Sequence, residues 1–156
     1  LDHLSIAFVG DLKYGRTVHS LLQACARYPG NRFYFVSPEM LNLPDHVNDI
    51  LRSNGIKFSF HHDIKEIINR VDILYMTRMQ RERFEPHEFK MLQMRYQLSA
   101  SLLASVKETM KVLHPLPRVD EINIDVDQTA QAYYFQQAEN GLYVRQALLA
   151  LLLSSP

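Results

Sequence analysis

The chain has 156 residues, 47% of them hydrophobic and 22% charged, with 17 basic side chains against 17 acidic ones. That length and apolar share suit one domain with a real core. The balanced charge gives no basis for binding nucleic acid or an anionic membrane, although cations can still gather locally around an acidic ligand. The one cysteine, Cys25, excludes an internal disulfide and fits a reducing, cytoplasmic setting. Leu1 to Gly10 is a short mixed apolar run rather than a signal peptide. The longest apolar run, Ala147 to Leu153, is far short of the ~18–20 residues of a membrane span.

Leu4 to Gly10 is a mostly apolar run ending in glycine and reads as a buried strand. After a polar loop, Val18, Leu21, Leu22 and Cys25 recur on one helical face, and Pro29-Gly30 stops that helix. Arg32 to Ser37, rich in Phe, Tyr and Val, predicts a second strand. Pro44 to Ser53 predicts a helix closed by Asn54-Gly55, and Lys57 to Phe60 a short strand. Asp63 is placed to cap a further helix that begins Ile64-Lys65-Glu66. Val71 to Met76 predicts the fourth strand, and Arg81 to Lys90 a mobile charged loop leading into a helix. Ser99 to Ser105 is expected to be helical and Lys111 to His114 to be the last strand. Phe135 to Leu153 predicts a long terminal helix with a stripe of Leu142, Ala147, Leu148, Leu149 and Leu152. The expected fold is α/β, a three-layer Rossmann-like domain over residues 1–156. Its sheet has roughly five parallel strands, with helices on both faces. The chain begins almost inside its first strand and ends just after a leucine-rich helix, so it reads as a part of something longer.

In open parallel sheets, ligands bind beyond the carboxyl ends of the strands. Three such loops carry unusual sequence. The first, Gly10-Asp11-Leu12-Lys13-Tyr14-Gly15-Arg16-Thr17, lacks both the G-x-G-x-x-G spacing and a terminal Gly-Lys-Ser/Thr, which leaves little for a dinucleotide. It does put Arg16 at a helix start. A cation there opposes the helix dipole by ~0.3–1 kcal/mol, a placement that makes sense if an anion joins it; otherwise Arg16 is a solvated surface side chain. The second loop is Thr77-Arg78-Met79-Gln80-Arg81-Glu82-Arg83. Arg78 and Gln80 can share one side of the crevice, while Arg81, Glu82 and Arg83 read more simply as a solvated charged loop. Guanidinium groups take carboxylates bidentately, so Arg16 and Arg78 together suit a small molecule with two carboxylates. The third loop, His114-Pro115-Leu116-Pro117-Arg118, loses two amide donors to proline and keeps its carbonyls, which can accept from an amine. An ordinary rigid turn would carry the same residues.

Four stretches in order resemble the catalytic chain of the aspartate carbamoyltransferase family. They are Val9 to Ser20, Asp72 to Arg83, Met110 to Glu121, and Tyr134 to Ala138 leading to Arg145-Gln-Ala-Leu-Leu149. The turn His114-Pro115-Leu116-Pro117, and the lack of a Ser-Met-Gly loop, resemble the aspartate rather than the ornithine branch. The resemblance implies that Arg16 and Arg78 bind the carboxylates of L-aspartate, with Gln80 beside them. It implies that the carbonyls of Pro115 and Leu116 face the amine and the carbamoyl group, and that Leu116-Pro117 is a cis peptide. Residues from about Met79 to Arg95 would move on closure, with Glu82 and Arg83 as closure partners. Glu88 would pair with the positions of Lys13 and Tyr14 in another subunit. Phe89 stands where the family has tyrosine and lacks the hydroxyl for one loop hydrogen bond.

The family's Ser-Thr-Arg-Thr-Arg phosphate loop does not occur in the sequence. The resemblance therefore implies an aspartate-binding half without the domain for carbamoyl phosphate, without catalytic residues of its own and inactive alone. The whole protein would act in pyrimidine biosynthesis as a homotrimer, with or without regulatory chains, and without a cofactor or metal. A non-catalytic interaction or assembly domain of the same fold is the alternative. His61-His62 has no cysteine partner at ligand spacing and reads as a polar turn. His19 is expected to bond locally, and Cys25 to pack in the core rather than act as a nucleophile. Leu148, Leu149, Leu152 and Leu153 are expected to be left partly uncovered, giving self-association or a mobile C-terminus.

Overall fold

Two continuous apolar runs become adjacent central strands, and the rest of the sheet is built outward from them. In a computed structural model of the chain, residues 1–79 and 84–154 are described, with the backbone alone at Glu88, Gln93 and Met94. The strands are β1 (Ser5–Val9), β2 (Arg32–Val36), β3 (Lys57–His61), β4 (Ile73–Met76) and β5 (Lys111–Leu113). They form one sheet in the order β3-β2-β1-β4-β5, every neighbouring pair parallel. The helices are α1 (Arg16–Cys25), α2 (Asp45–Ser53), α3 (Pro86–Tyr96), α4 (Ala100–Leu103) and α5 (Tyr134–Leu153).

The strands are apolar on both sides because both faces are covered. On one face Ile6, Phe8, Phe33, Phe35 and Tyr75 meet Val18 and Leu22 of α1 and Val47 and Leu51 of α2. Phe8 sits at the centre, its ring centroid 5.7–6.2 Å from those of Phe33, Phe35 and Tyr75. On the other face Ala7, Val9, Val36, Leu74, Met76 and Val112 pack against Ile64, Ile67, Leu98, Leu103, Val126 and Tyr134. Alternate residues of each strand thus feed two separate cores, as the two-residue period of a strand requires.

Three expectations need correction. Asp63 does cap, with a full capping box to Glu66, but the turn it opens is a 3-10 segment, Ile64–Glu66, and not an α-helix. Ile64, Ile67 and Ile68 are all buried there. β-branched side chains resist a helical turn and here wedge into the sheet instead. The charged stretch expected to be loop through Lys90 is already helix from Pro86. Proline suits the first helical position, where no amide donor is needed. The Ser99–Ser105 helix shortens to α4, Ala100–Leu103.

Helix α5 is held at its start and bare beyond it. Tyr134 is fully buried, whereas Leu152 is 75% and Leu153 83% exposed. Leu148, Leu149 and Leu151 are exposed as well. A run of uncovered leucines promotes association. Sedimentation velocity is expected to show concentration-dependent self-association of the chain, suppressed by Leu148→Glu with Leu152→Glu; a monomer at all concentrations would contradict it. No described helix is long and apolar enough to cross a membrane.

Candidate functional site

The strand order reverses direction between β1 and β4, since the chain runs outward from β1 to β3 and then returns to the other side of β1. Such a switch point leaves a crevice at the carboxyl ends of the two strands. A cavity of ≈320 Å³ opens there, lined by Asp11, Gly15, Thr17, Thr77, Arg78 and the turn His114–Pro117. A larger hollow of ≈440 Å³ lies at the opposite end of the sheet, between the turns that enter β2 and β3. The smaller cavity is the better site, because three strand-end loops converge on it.

The loops after β1 and β4 are stitched together. Gly10 adopts φ +111°, and a Cβ on it would run into the Thr77 carbonyl. Glycine is needed for both the conformation and the close approach. Thr77 donates its hydroxyl to the Val9 carbonyl at 2.9 Å and accepts the Asp11 amide at 3.1 Å. Asp11, only 2% exposed, accepts the Tyr14 amide at 2.9 Å. The loop is held from behind by Leu12, whose amide donates to the Leu41 carbonyl at 3.1 Å. The His19 ring bonds the Leu12 carbonyl at 2.8 Å, the local role expected of it.

Arg78 is exposed and lines the cavity. Arg16 is the first residue of α1, between the lining residues Gly15 and Thr17, with an exposed side chain that is not itself part of the lining. Lys13 and Tyr14 are exposed on the same loop, the ammonium 5.4 Å from the phenol ring centroid. Pro115 and Leu116 form the wall contributed by β5, and Leu116-Pro117 is cis. Gln80, Glu82 and Arg83 lie outside the described residues, as does the side chain of Glu88. Phe89 packs beside Phe84, ring centroids 6.1 Å apart.

Two networks that sequence reasoning missed hold the β5 turn. His114, 2% exposed, bonds Glu121 through Nε2 at 2.7 Å and accepts the Leu116 amide on Nδ1 at 2.8 Å. The Glu121 carboxylate also accepts the Val119 and Asp120 amides, at 3.2 and 3.1 Å. Past the turn, Arg118 forks onto Asp127 with two 2.6 Å bonds and lies over the rings of Tyr134 and Phe135. Tyr134 donates its hydroxyl to Asp127. Burial and that bond push the Tyr134 phenol up to about 12. Arg118 is thereby engaged in structure. No spacing signal in the sequence links His114 to Glu121 or Arg118 to Asp127.

Elsewhere, Cys25 is half-buried against the α1 face of the core, and burial raises its thiol pKa, as for a packing residue. His61 bonds Glu66 and Ser59, each at 2.8 Å.

Burial alone would raise the Glu121 pKa, but the bond from His114 and the amides of the turn outweigh it and hold the carboxyl below its usual range. A carboxylate depressed in the folded state stabilises above its unfolded pKa. That contribution is lost as pH falls through the lower folded value. Acid unfolding is therefore expected to draw on Glu121. The variant Glu121→Gln is predicted to lose stability at neutral pH and to show a shallower acid limb in urea denaturation across pH. An unchanged acid limb would contradict it.

Residues 2–152 match the family model for the Asp/Orn-binding domain of aspartate/ornithine carbamoyltransferase. The chain belongs to that family. Its carbamoyltransferase relatives include the aspartate carbamoyltransferase catalytic subunits of Vibrio campbellii, 58% identical over 99% of the chain, and Photobacterium profundum, 54% identical over 99%. The chain spans about 50% of the length of each. Among solved structures, the catalytic subunit of M. jannaschii aspartate transcarbamoylase superposes with a TM-score of 0.91 at 43% identity, covering 95% of this chain and 48% of that one. The Trypanosoma cruzi enzyme in complex with aspartate and phosphate superposes at 0.82 with 36% identity, covering 95% and 46%. The five-stranded parallel α/β fold is thus the carbamoyltransferase fold.

Proposed function

We propose that the chain is the L-aspartate-binding half of an aspartate carbamoyltransferase. The observation that carries this is the switch-point cavity, with Arg78 on one wall, Pro115 and Leu116 on another, and Arg16 at the adjoining helix start. Two guanidinium groups suit the two carboxylates of aspartate. The proline turn offers carbonyls and few donors, which suits the amine. The names of the relatives and the aspartate complex of the Trypanosoma cruzi enzyme support aspartate over ornithine.

In the proposed reaction the aspartate amine attacks the carbamoyl carbon of carbamoyl phosphate. A C–N bond forms, the C–O bond to phosphate breaks, and the amine gives up a proton. Charge grows on the carbonyl oxygen and the departing phosphate, and both need donors or cations. The sequence holds no Ser-Thr-Arg-Thr-Arg segment to provide them. The carbamoyl phosphate site accordingly belongs to another domain, and this chain alone turns nothing over. The whole enzyme would be a cytoplasmic homotrimer of pyrimidine biosynthesis, with Gln80 assisting aspartate, Glu82 and Arg83 in closure, and Glu88 facing Lys13 and Tyr14 of a neighbour.

A non-catalytic assembly domain is the second reading, favoured by the exposed leucines of α5. Mixing the chain with a separately made carbamoyl-phosphate-binding half of a close relative separates the two. Formation of carbamoylaspartate supports the enzyme reading; none, with both partners folded and associated, supports the assembly role.

A further inference from the structure

The β5 turn contains a residue in an unfavourable conformation. Leu116 has φ +50°, a left-handed placement that is unfavourable for an L-residue. Such a residue persists only where its surroundings over-determine it. Its amide donates to Nδ1 of His114 at 2.8 Å. That leaves Nδ1 with a lone pair and puts the ring proton on Nε2, which donates to Glu121 at 2.7 Å. Only this tautomer satisfies both bonds. Glu121 in turn ties down the amides of Val119 and Asp120. The His114 amide donates to Gln137 of α5 at 3.0 Å. The ring joins all of these and is nearly sealed from solvent.

We propose that His114, held by Glu121, is a positioning residue for the substrate crevice: it fixes the backbone of Pro115 and Leu116, whose carbonyls are the turn's contribution to the site. This rests on the reading that the crevice takes a small dicarboxylate amine. The His114 ring is nearly sealed from solvent and acts through the Leu116 backbone that it holds. The direction of the two carbonyls follows the Leu116 dihedral, and errors of about 1 Å in such groups are costly. Losing the Nδ1 acceptor releases Leu116 from its left-handed conformation and lets the wall relax.

The test compares His114→Asn, His114→Gln and His114→Ala. The asparagine oxygen falls near the Nδ1 position and can still accept from Leu116. The glutamine amide reaches toward Glu121 but leaves the Leu116 amide without that acceptor. Succinate affinity is read by NMR titration and stability by urea denaturation. All three variants are expected to lose stability. Gln and Ala are expected to weaken succinate by about three- to tenfold, with Asn near the wild type. Affinity that simply follows stability, or that survives in Gln and not in Asn, overturns the proposal. A long-range proton–nitrogen spectrum of the unsubstituted chain is expected to show His114 protonated on Nε2 alone; a proton on Nδ1 overturns it regardless of how the variants fold. If the unsubstituted chain binds no succinate, the dicarboxylate reading fails by itself. The brace is then decided by the ring spectrum, and by whether Gln and Ala, but not Asn, lose hydrogen-exchange protection at the Leu116 amide.

Discussion

Arg78→Ala is expected to weaken succinate binding by about ten- to a hundredfold. Arg78 lies just past Thr77 after the end of β4, at the switch point, and lines the cavity with its side chain exposed. A charge-assisted bond to a carboxylate contributes about 1.5–3 kcal/mol, or roughly one to two decades of affinity. Arg78→Lys keeps the charge but loses the planar fork and is expected to fall between the two. Isothermal or NMR titration with succinate reads all three. Stability should change little, since exposed side chains usually contribute within ~0.5 kcal/mol. An unchanged affinity in Arg78→Ala would move the dicarboxylate out of this crevice.

Gly10→Ala is expected to destabilise the fold by about 2–5 kcal/mol. The left-handed φ costs an L-residue ~1–2 kcal/mol, and forcing a methyl group into packed surroundings adds ~1–3 kcal/mol. The obstacle is the Thr77 carbonyl and hydroxyl, backbone and a buried side chain, which cannot swing aside. The damage also reaches the site, because Thr77 bonds both Val9 and Asp11 and so sets the two loops that meet there. Urea denaturation is expected to show a lower midpoint with an unchanged slope, and the amide resonances of Asp11 and Thr77 should move most. A variant within ~0.5 kcal/mol of the parent would mean that the loops yield more easily than the packing implies.

Much of the fold was legible because its strands are buried on both faces. Ser5–Val9 and Ile73–Met76 are nearly unbroken apolar runs of strand length, rich in β-branched and aromatic residues, which reads as buried strand. The strand ends were legible too, and with them the loops that carry Arg16, Arg78 and the proline turn. What stayed hidden depends on how the chain after β5 folds back on itself. Nothing local marks Glu121 as the partner of a histidine seven residues earlier, or Asp127 and Tyr134 as the pair that engages Arg118. The pairings arise only once the chain after β5 folds back over the sheet and Tyr134 is buried. The Asp63 cap was visible, but its continuation was not, because three buried isoleucines favoured the core over another helical turn. The apolar residues of α5 announced a helix, and Leu148, Leu149, Leu152 and Leu153, expected to be partly uncovered, are exposed.

The division of labour follows from the same contrast. Under the proposed function, the crevice offers Arg78, the nearby Arg16 and the turn carbonyls to an amino diacid, and the groups that activate carbamoyl phosphate belong to another domain. On that proposal, binding by this chain alone is expected to be weak, since enzymes that close around a substrate complete their contacts only on closure.

The most direct test is a titration of the chain with succinate to high millimolar concentration, with ornithine as the control, followed through amide and arginine side-chain resonances. Shifts confined to Gly10–Thr17, Thr77–Met79 and His114–Pro117, including the guanidinium signals of Arg16 and Arg78, with none from ornithine, are the predicted result. No shift at Arg16 and Arg78, or an equal response to ornithine, would contradict a site built to grip a dicarboxylate.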